Sequence, residues 1–401
     1  MSEVGRLAVE AALLFLALLP AAAGVYLGVL ALLSARLRTP TPGSPHLRFT
    51  VVVPAHNESA GIGQTVRSLL ALDYPAALRR VLVVADNCAD DTAVQARAAG
   101  AEVLARTDTQ RRGKGYALET AFAQLLAEGT TDAVVVIDAD TVVSPNLLKA
   151  FAARLEGGAR VAQAHYGVQN PEASWRTRLM RIALSMFHQV RSIARERLGV
   201  SAGLRGNGMC FSLQVLREVP HDAYSLVEDL EYGVKLGRAG HRVVYVHEAD
   251  VLGEMVSGEQ ASRSQRTRWE QGRAQMRALY GWPLVREGLR RRSALLIDLA
   301  LDVLVPPLSQ LVAALVLLTA VASGLVALSG VGVWAACAGM LGLSSVGLYV
   351  LAGWAHSGTG ARGLVDLALA PIYMAWKFRL KLTGKKQAEW VRTTREGEPR
   401  S

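Results

Sequence analysis

Acidic and amide side chains follow three of the four apolar, β-branched segments in the first third of the chain. They are Asn57 and Glu58 after the first segment, in which Pro54 lies, Asp86 after the second, and Asp138 and Asp140 after the fourth. Because the carboxyl ends of parallel strands meet at one edge of a sheet, we expect these side chains to line a ligand-binding edge. Each would also suit the cap of a following helix, so both interpretations stand at this point.

Asp138 and Asp140 stand one residue apart, directly after an apolar segment. Two carboxylates at that spacing repel each other, and a hard divalent cation relieves the repulsion. We therefore expect Mg or Mn at this pair. An Asp-x-Asp pattern is common by chance, so its neighbours have to support the assignment.

A basic, glycine-rich turn, Arg111-Arg112-Gly113-Lys114-Gly115, precedes a predicted helix. Flexible backbone and cationic donors at the start of a helix suit an anion such as a phosphate group. The turn is not a P-loop, because the glycine spacing differs and no Ser or Thr follows Lys114. A solvated basic turn is the alternative interpretation.

Three further motifs follow later in the chain. They are Arg205-Gly206-Asn207-Gly208, the adjacent acids Glu228 and Asp229, and the set Gln265, Arg268 and Trp269. The glycines permit a close approach of the backbone to a ligand. The last three residues fall near one face of a helix, where they offer an amide, a guanidinium group and a flat aromatic ring.

A sheet with flanking helices is needed to hold these residues in place. Segments 49–54, 81–85, 102–105 and 133–137 are predicted as buried parallel strands, and 62–72, 89–99 and 114–127 as the helices between them. Alternating strands and helices indicate an α/β fold with a doubly wound, mostly parallel sheet. Ligands bind such sheets at the carboxyl ends of the strands, where the acids stand.

Two long segments, residues 11–33 and 303–361, contain no Asp, Glu, Lys or Arg. A helix needs about 20 apolar residues to cross a bilayer, so the first segment fits one span and the second fits two. We expect a transmembrane helix within residues 1–36 and a transmembrane hairpin over 303–355 that turns near Ser329 and Gly330. The first apolar segment is too long for a signal peptide.

Two shorter segments are predicted to lie at the membrane surface. Asp298 and Asp302 share one face of a helix over residues 293–302, and Asp366 interrupts an apolar segment that is short for a span. We interpret residues 356–401 as an interfacial or re-entrant segment followed by a basic cytosolic tail.

The formal net charge of +10 would by itself suit a nucleic-acid ligand. The basic residues, however, cluster beside the predicted spans and lack the interleaved aromatics of a base-stacking surface. Basic residues beside spans mark the cytoplasmic side. We therefore predict an integral protein of the inner (plasma) membrane, with residues 46–292 in the cytosol and no nucleic-acid partner.

Together the motifs resemble those of the membrane-bound family-two inverting glycosyltransferases, the group of the cellulose, chitin and hyaluronan synthases. The family pattern of three separated aspartates followed by Gln-x-x-Arg-Trp is met, in order, by Asp86, Asp140, Asp229, Gln265, Arg268 and Trp269. The resemblance covers residues 51–273 and implies a GT-A-like cytosolic domain. It also implies an inverting, metal-dependent hexosyltransferase whose donor is a nucleotide sugar, a UDP-sugar in most relatives.

The resemblance implies a role for each candidate residue. Asp229 is the implied general base, and Asp138 and Asp140 hold the metal. The implied donor-binding residues are Pro54, Asn57, Glu58, Asp86, Lys114 and Asp138. The residues implied to clamp the acceptor and the diphosphate are Gly206, Asn207, Gly208, Glu228, Gln265, Arg268 and Trp269. The chain departs from many relatives at Ala85, where they carry a second acid next to the one matched by Asp86.

The acceptor is left open by the resemblance. The complete motif set favours a growing polysaccharide, and a lipid or lipid-linked acceptor is the alternative, since lipid-glycosylating relatives also carry Gln-x-x-Arg-Trp. Three nearly apolar spans make a poor polymer channel on their own, which favours a lipid acceptor, an oligomer or a partner subunit. A non-catalytic scaffold or a transporter is the remote alternative, because no acid of the pattern is missing and the spans lack mid-membrane ionisable residues.

Overall fold

A computed structural model describes residues 2–254 and 259–369 of the chain, without the side chains of residues 259–268. Within these residues one eight-stranded sheet adjoins three long apolar helices. The strands are β1 (Phe49–Ala55), β2 (Arg79–Asp86), β3 (Glu102–Arg106), β4 (Ala133–Val136), β5 (Thr141–Val143), β6 (Val161–Val168), β7 (Met209–Ser212) and β8 (Val243–Gly253). The helices are α1 (Glu3–Leu33), α2 (Ile62–Leu70), α3 (Thr92–Ala98), α4 (Lys114–Glu128), α5 (Leu147–Glu156), α6 (Trp175–Leu184), α7 (Arg191–Arg197), α8 (Leu213–Glu218), α9 (Glu228–Arg238), α10 (Glu259–Arg291), α11 (Ala294–Leu304), α12 (Leu308–Ser329) and α13 (Val333–Ser357).

The first four strands form the half of the sheet that the sequence predicts. β1 pairs in parallel with both β2 and β4, and β2 pairs in parallel with β3. The valine-rich central strands are buried on both faces, because α2 and α5 cover one face and α4 and α8 cover the other. The prediction that β3 is buried is wrong: it is the edge strand, and its residues are partly or fully exposed.

The other half of the sheet is mixed, and the sequence analysis did not predict its strands. β7 runs antiparallel to β4 and β6, β8 runs parallel to β6, and β5 runs antiparallel to β8, so the order is β3-β2-β1-β4-β7-β6-β8-β5. β5 and β7 have only three and four residues, and β6 carries the polar Gln163 and His165. Short or polar strands lack the apolar run on which the prediction relied. Parallel pairings still predominate among the described strands, as predicted.

Three helices are long and apolar enough to cross a membrane, and they match the three predicted spans. α1 begins at Glu3, eight residues earlier than the predicted segment, and its first turns cover the connection between α12 and α13. Arg6 Nη2 donates to the Ser329 carbonyl oxygen at 3.2 Å, and Glu10 accepts from the backbone N–H of Gly332. The hairpin turns at Gly330 with φ of +69°, where the sequence predicts it.

The spans α1 and α13 pack so closely that their backbones touch. A Cβ atom added to Gly24 of α1 would lie 2.8 Å from the carbonyl oxygen of Gly342 on α13. Small residues let two helices in a bilayer approach closely, so that van der Waals contacts between the helices replace their contacts with lipid tails. This contact leaves no polymer-sized passage between α1 and α13.

A continuous helix, built from α6, a π-helical turn and α7, lies between the sheet domain and the spans. Arg178 of α6 pairs with the buried Asp366 at 2.6 Å, within a helical segment over residues 360–369. Asp298 and Asp302 share one face of α11, as predicted, but that face packs on α7 and is buried. Residues 370–401, which include the predicted basic tail, lie outside the described residues. The interfacial location of α11 stays a prediction.

The Gly24 contact predicts the behaviour of two alanine variants. Gly24→Ala should lower the free energy of unfolding by about 1–3 kcal/mol, because the added methyl group forces two backbones apart. Gly347→Ala on α13 is the matched control, since its Cβ meets no atom within 4 Å. Thermal unfolding in detergent measures both. Equal melting temperatures for the two variants would show that the spans do not depend on this contact.

Candidate active site

The carboxyl ends of β1, β2 and β4 meet at one edge of the sheet, as expected, and the turns after β1 and β2 bond to each other. Asn57 Oδ1 accepts from the Ala89 backbone N–H at 2.8 Å, and the Glu58 backbone N–H donates to Thr92 Oγ1 at 2.7 Å. Asn57 has φ of +55°, a left-handed conformation that Asn tolerates better than most residues. Pro54 lies in β1, half-buried, just before this turn.

Asp86 ends β2 in a buried position and is held by a cation that the sequence analysis missed. Arg106 Nη1, at the end of β3, lies 2.6 Å from Asp86 Oδ1, and both side chains are less than a tenth exposed. The neighbouring Asn87 donates to the same oxygen at 3.0 Å. The pair fixes one carboxylate at the end of β2, and the contact of Asp86 with a nucleotide base stays a prediction.

Lys114 starts α4 and joins three segments that are far apart in the sequence. Its ammonium group lies 2.5 Å from Asp138 Oδ1, 2.5 Å from the Gly206 carbonyl oxygen and 3.9 Å from Glu228 Oε1. Burial would lower the pKa of Lys114, but Asp138 and Glu228 raise it above its ordinary value. Lys114 therefore stays a cation beside the acids, as an anion-binding residue must.

Asn207 connects the Gly206-Asn207-Gly208 loop to the Asp138–Asp140 segment. Its side-chain oxygen accepts from the Asp138 backbone N–H at 3.1 Å, and its amide donates to Thr141 Oγ1 at 2.8 Å. Thr141 in turn donates to Asp140 Oδ1 at 3.4 Å. Both acids thus face the same edge, and their charges together with burial raise the pKa of the nearby Tyr166 phenol.

The donor set at Asp138 and Asp140 fits a divalent cation that is shared with a ligand. No group of three or more His, Cys, Asp or Glu side chains that could hold a metal occurs among the described residues. Mg²⁺ in phosphoryl-type sites is commonly held by one or two carboxylates plus substrate phosphate oxygens. Asp138 and Asp140, beside the Lys114 ammonium, would supply the carboxylates of such a site.

Glu228 and Asp229 begin α9 and face the same loop. A Cβ atom at Gly206, where φ is +80°, would lie 3.4 Å from Asp229 Oδ2. Burial raises the pKa of the Asp229 carboxyl above its ordinary value, although Lys114, Arg205 and Arg273 oppose the shift. Burial also raises the pKa of Glu228, to about 7. A carboxylate whose proton affinity is raised in this way is suited to accept a proton.

Close backbone packing brings α4 and α9 together. A side chain at Gly115 would overlap the carbonyl oxygen of Ala223, which lies in the segment before α9. Next to this contact the rings of Tyr116 and Tyr224 stack, with centroids 4.3 Å apart. The position of Lys114 relative to Asp229 therefore depends on a glycine that permits two segments to touch.

The Gln-x-x-Arg-Trp motif lies in the helix α10, as its spacing predicts. Gly272 of α10 packs on Val227, since a Cβ there would lie 2.7 Å from Val227 Cγ1, one residue before Glu228. Trp269 is half-buried. The side chains of Gln265 and Arg268 are not among those described, so their predicted roles stay predictions.

Four site residues were not assigned by the sequence analysis: Arg106, Tyr166, Arg205 and Arg273. Arg205 and Arg273 left a usable signal. The first directly precedes the glycine loop, and the second follows Trp269 by four residues and so shares its helical face. Arg106 and Tyr166 left none, because only strand pairing brings them to the edge.

Three curated relatives align with part of this chain. A β-monoglucosyldiacylglycerol synthase of Synechocystis sp. is 30% identical over 240 residues, 57% of this chain and 48% of that protein. The probable glycosyltransferase YdaM of Bacillus subtilis is 24% identical over 238 residues, 56% of this chain and 55% of that protein. A 4,4'-diaponeurosporenoate glycosyltransferase of Staphylococcus aureus is 32% identical over 105 residues, 26% of this chain and 27% of that protein. The matched region thus spans about half or less of each relative.

The fold as a whole also has a solved counterpart. The mannosyltransferase PcManGT from Pyrobaculum calidifontis, solved in complex with GDP-Man and Mn²⁺, aligns over 94% of each chain with a TM-score of 0.57 and 18% identity. This match includes the spans and confirms the predicted GT-A-like fold. The sequence pattern described as "Glycosyltransferase like family 2" matches residues 45–272, which is more than half of the chain. The chain therefore belongs to glycosyltransferase-like family 2.

Proposed function

We propose that this glycosyltransferase moves a hexose from a UDP-sugar to a lipid acceptor at the membrane, with inversion of the anomeric carbon. The observation that carries the proposal is the Lys114 ammonium group, which bonds Asp138 and the Gly206 carbonyl oxygen beside Asp229. A cation, a pair of carboxylates suited to a metal ion and a carboxylate suited to accept a proton thus lie next to one another at one edge of the sheet.

In the proposed donor complex Asp86 and its partner Arg106 would face the base, and Asp138 and Asp140 would hold Mg or Mn. The divalent ion supplies Lewis-acid stabilisation to the leaving diphosphate. Lys114 adds a second positive charge at the same place, so the leaving group needs no proton. The Gln265, Arg268 and Trp269 segment of α10 borders this region through Gly272 and Val227.

Asp229 is the proposed general base for the acceptor hydroxyl. Its carboxylate adjoins Gly206, whose carbonyl oxygen accepts a hydrogen bond from Lys114. In the transfer, the hydroxyl oxygen attacks the anomeric carbon while Asp229 takes its proton and the diphosphate leaves from the opposite face. One in-line displacement of this kind inverts the configuration.

A lipid acceptor suits the membrane part better than the polysaccharide that the motif set alone favours. The α1–α13 backbone contact at Gly24 and Gly342 leaves no polymer-sized passage between those spans. Two relatives are named for lipid-type acceptors, a glucosyldiacylglycerol product in one and a diaponeurosporenoate in the other. A lipid stays in the bilayer and needs no channel. A cytosolic sheet domain at the inner membrane, next to such an acceptor, completes the proposal.

The metal assignment is tested with Asp140→Ala. We expect transfer to fall by at least about 100-fold, since the Lewis acid is worth several kcal/mol of transition-state stabilisation. Metal-dependent binding of UDP, measured by calorimetry, should be lost as well. Asp73→Ala is the matched control, because Asp73 is a surface acid paired with Lys149. Normal transfer by Asp140→Ala in metal-depleted buffer would overturn the assignment.

The base assignment is tested with two isosteric variants. Asp229→Asn should lower turnover by about 100-fold or more, the usual contribution of a positioned base, with donor affinity unchanged. Glu228→Gln should retain more activity, because Glu228 is not the proposed base and its ion pair with Lys114 is long, at 3.9 Å. Product formation and donor binding are measured on both variants to decide which acid is the base. Weakened donor binding in Asp229→Asn, or the greater loss in Glu228→Gln, would move the base elsewhere.

The raised pKa of Asp229 predicts the acid side of the pH–rate profile. As the pH falls, activity should disappear at a higher pH than the usual pKa of an aspartate would give, because Asp229 then takes up a proton and cannot accept another. The profile is measured at saturating metal and donor, at two metal concentrations, so that loss of metal does not imitate it. This loss of activity at low pH, the acid limb of the profile, should persist in Glu228→Gln. If it disappears in that variant, the limb belongs to Glu228.

A further inference from the structure

A buried ionic cluster lies between the sheet domain and the spans. Its members are two acids of α11 and four arginines from three other segments, namely Asp298, Asp302, Arg191, Arg195, Arg205 and Arg273. Charges in a dry interior are tolerated only when each lies close to an opposite charge and its hydrogen bonds are made. The loss of one member therefore leaves its direct partners without a counter-charge.

One side of the cluster attaches the sheet domain to the spans. Arg191 Nε donates to the Tyr349 hydroxyl of α13 at 2.8 Å. Arg195 Nε donates to Asp298 Oδ2 at 2.6 Å, and the Tyr26 hydroxyl of α1 donates to Asp298 Oδ1 at 3.0 Å. These bonds make α7, α11 and two spans one unit.

The other side of the cluster faces the active site. The guanidinium carbons of Arg205 and Arg273 lie 4.2 and 4.5 Å from the ring centroid of Phe187, in the π-helical turn before α7. Both arginines act on the Asp229 carboxyl and oppose the rise of its pKa. Arg205 is also covalently next to Gly206, whose carbonyl oxygen accepts from Lys114. Arg205 thus directly precedes the glycine that lies against the proposed base.

Asp302 is the residue that joins the two sides. Its carboxylate lies 3.0 Å from Arg191 Nη1, 3.1 Å from Arg195 Nη1 and 3.9 Å from Arg205 Nη1. Its backbone carbonyl oxygen accepts from Arg273 Nη2 at 3.2 Å. Burial alone would raise the pKa of Asp302, but the surrounding arginines hold it well below its usual range, so the group stays charged.

Arg205 is held by the Ala202 carbonyl oxygen, to which its Nη2 donates at 2.8 Å, and by the Asp302 carboxylate. Its Nε atom has no hydrogen-bond partner among the described residues, and Asp302 is the one acid with which it forms an ion pair there. Burial lowers its pKa to about 10, and the positive charges of Arg195 and Arg273 act in the same direction. Without Asp302, repulsion among the three guanidinium groups would displace Arg205 and the glycine loop that follows it.

We propose that Asp302 is a positioning residue for the transfer reaction: it holds Arg205, and through Arg205 it holds the adjacent Gly206 against Asp229. The geometry of the base then depends on how α11, the helix that precedes the second span, is seated. The inference rests on the proposed role of Asp229 as the base. Asp302 itself touches no reacting atom in this account.

The test compares Asp302→Asn with Asp298→Asn in the full-length chain in lipid nanodiscs. Asp298 is the matched control: it is a buried, arginine-paired acid on the same helix face, but its contacts in the described part of the chain are with Arg195 and Tyr26. Asp302→Asn should lower kcat by at least about 10-fold with the donor KM nearly unchanged, since small displacements of catalytic groups cost this much or more. Asp298→Asn should lower kcat by no more than about 2-fold, even if its melting temperature falls as much as that of Asp302→Asn.

A shift of the pH profile is the readout that a merely structural role would not produce. The charged groups that face Asp229 are Lys114 on α4, Glu228 on its own helix, Arg205 on the loop and Arg273 on α10. Displacement of Arg205 or Arg273 changes the positive charge that acts on Asp229, and with it the pKa of that carboxyl. The acid limb should therefore move along the pH axis in Asp302→Asn and stay in place in Asp298→Asn.

Equal kcat losses in the two variants, or an unmoved acid limb in Asp302→Asn, would overturn the inference. If Asp302→Asn does not fold, Asp302→Glu replaces it, and its kcat must still fall below that of Asp298→Asn for the inference to stand. Asp229→Asn is measured in parallel. If it keeps normal turnover, the proposed base is wrong, whereas an inactive Asp229→Asn with a normal Asp302→Asn rejects the positioning role alone.

Discussion

The site depends on the contacts of one ammonium group, that of Lys114, which forms ion pairs with two acids and a hydrogen bond to a backbone carbonyl oxygen. Asp138 comes from the end of β4, Glu228 from the start of α9 and Gly206 from the loop before β7, and all three lie within 3.9 Å of this one cation. Without it, several carboxylates would face each other across a partly dry edge, where their repulsion is poorly screened. One positive charge at the centre lets acids from distant segments share a small volume.

Small residues make that geometry possible. The Lys114 ammonium reaches the acids only because Gly115 lets the backbone of α4 touch the segment before α9, and Gly272 does the same for α10 against Val227. The spans α1 and α13 make the same kind of close backbone contact at Gly24 and Gly342. Close backbone contact is rigid, because a packed interior resists compression. A site made of groups from five segments can thus keep its distances without a bound ligand.

The membrane part is joined to the sheet domain by buried charge as well as by apolar packing. Breaking a buried ion pair by removing one partner costs about 3–5 kcal/mol, much more than an exposed pair. The ion pairs of α11 with α7, and the bonds of Tyr26 and Tyr349, therefore resist any tilt of the domain relative to the spans. The proposed transfer to a lipid held in the bilayer would need that fixed orientation.

The amino-acid sequence by itself determined the parts that depend on local pattern. Valine-rich runs, uncharged segments and the spacing of Asp138 and Asp140 identified four strands, three spans and the acids of the sheet edge, since these signals need only neighbouring residues. Only the tertiary structure decided which distant groups meet. Arg106 reaches Asp86 through strand pairing, and Asp298 and Asp302 turn inward to arginines of α7 instead of outward to water. A long-range ion pair leaves no periodic trace in the sequence, because its partners are chosen by the packing of whole elements.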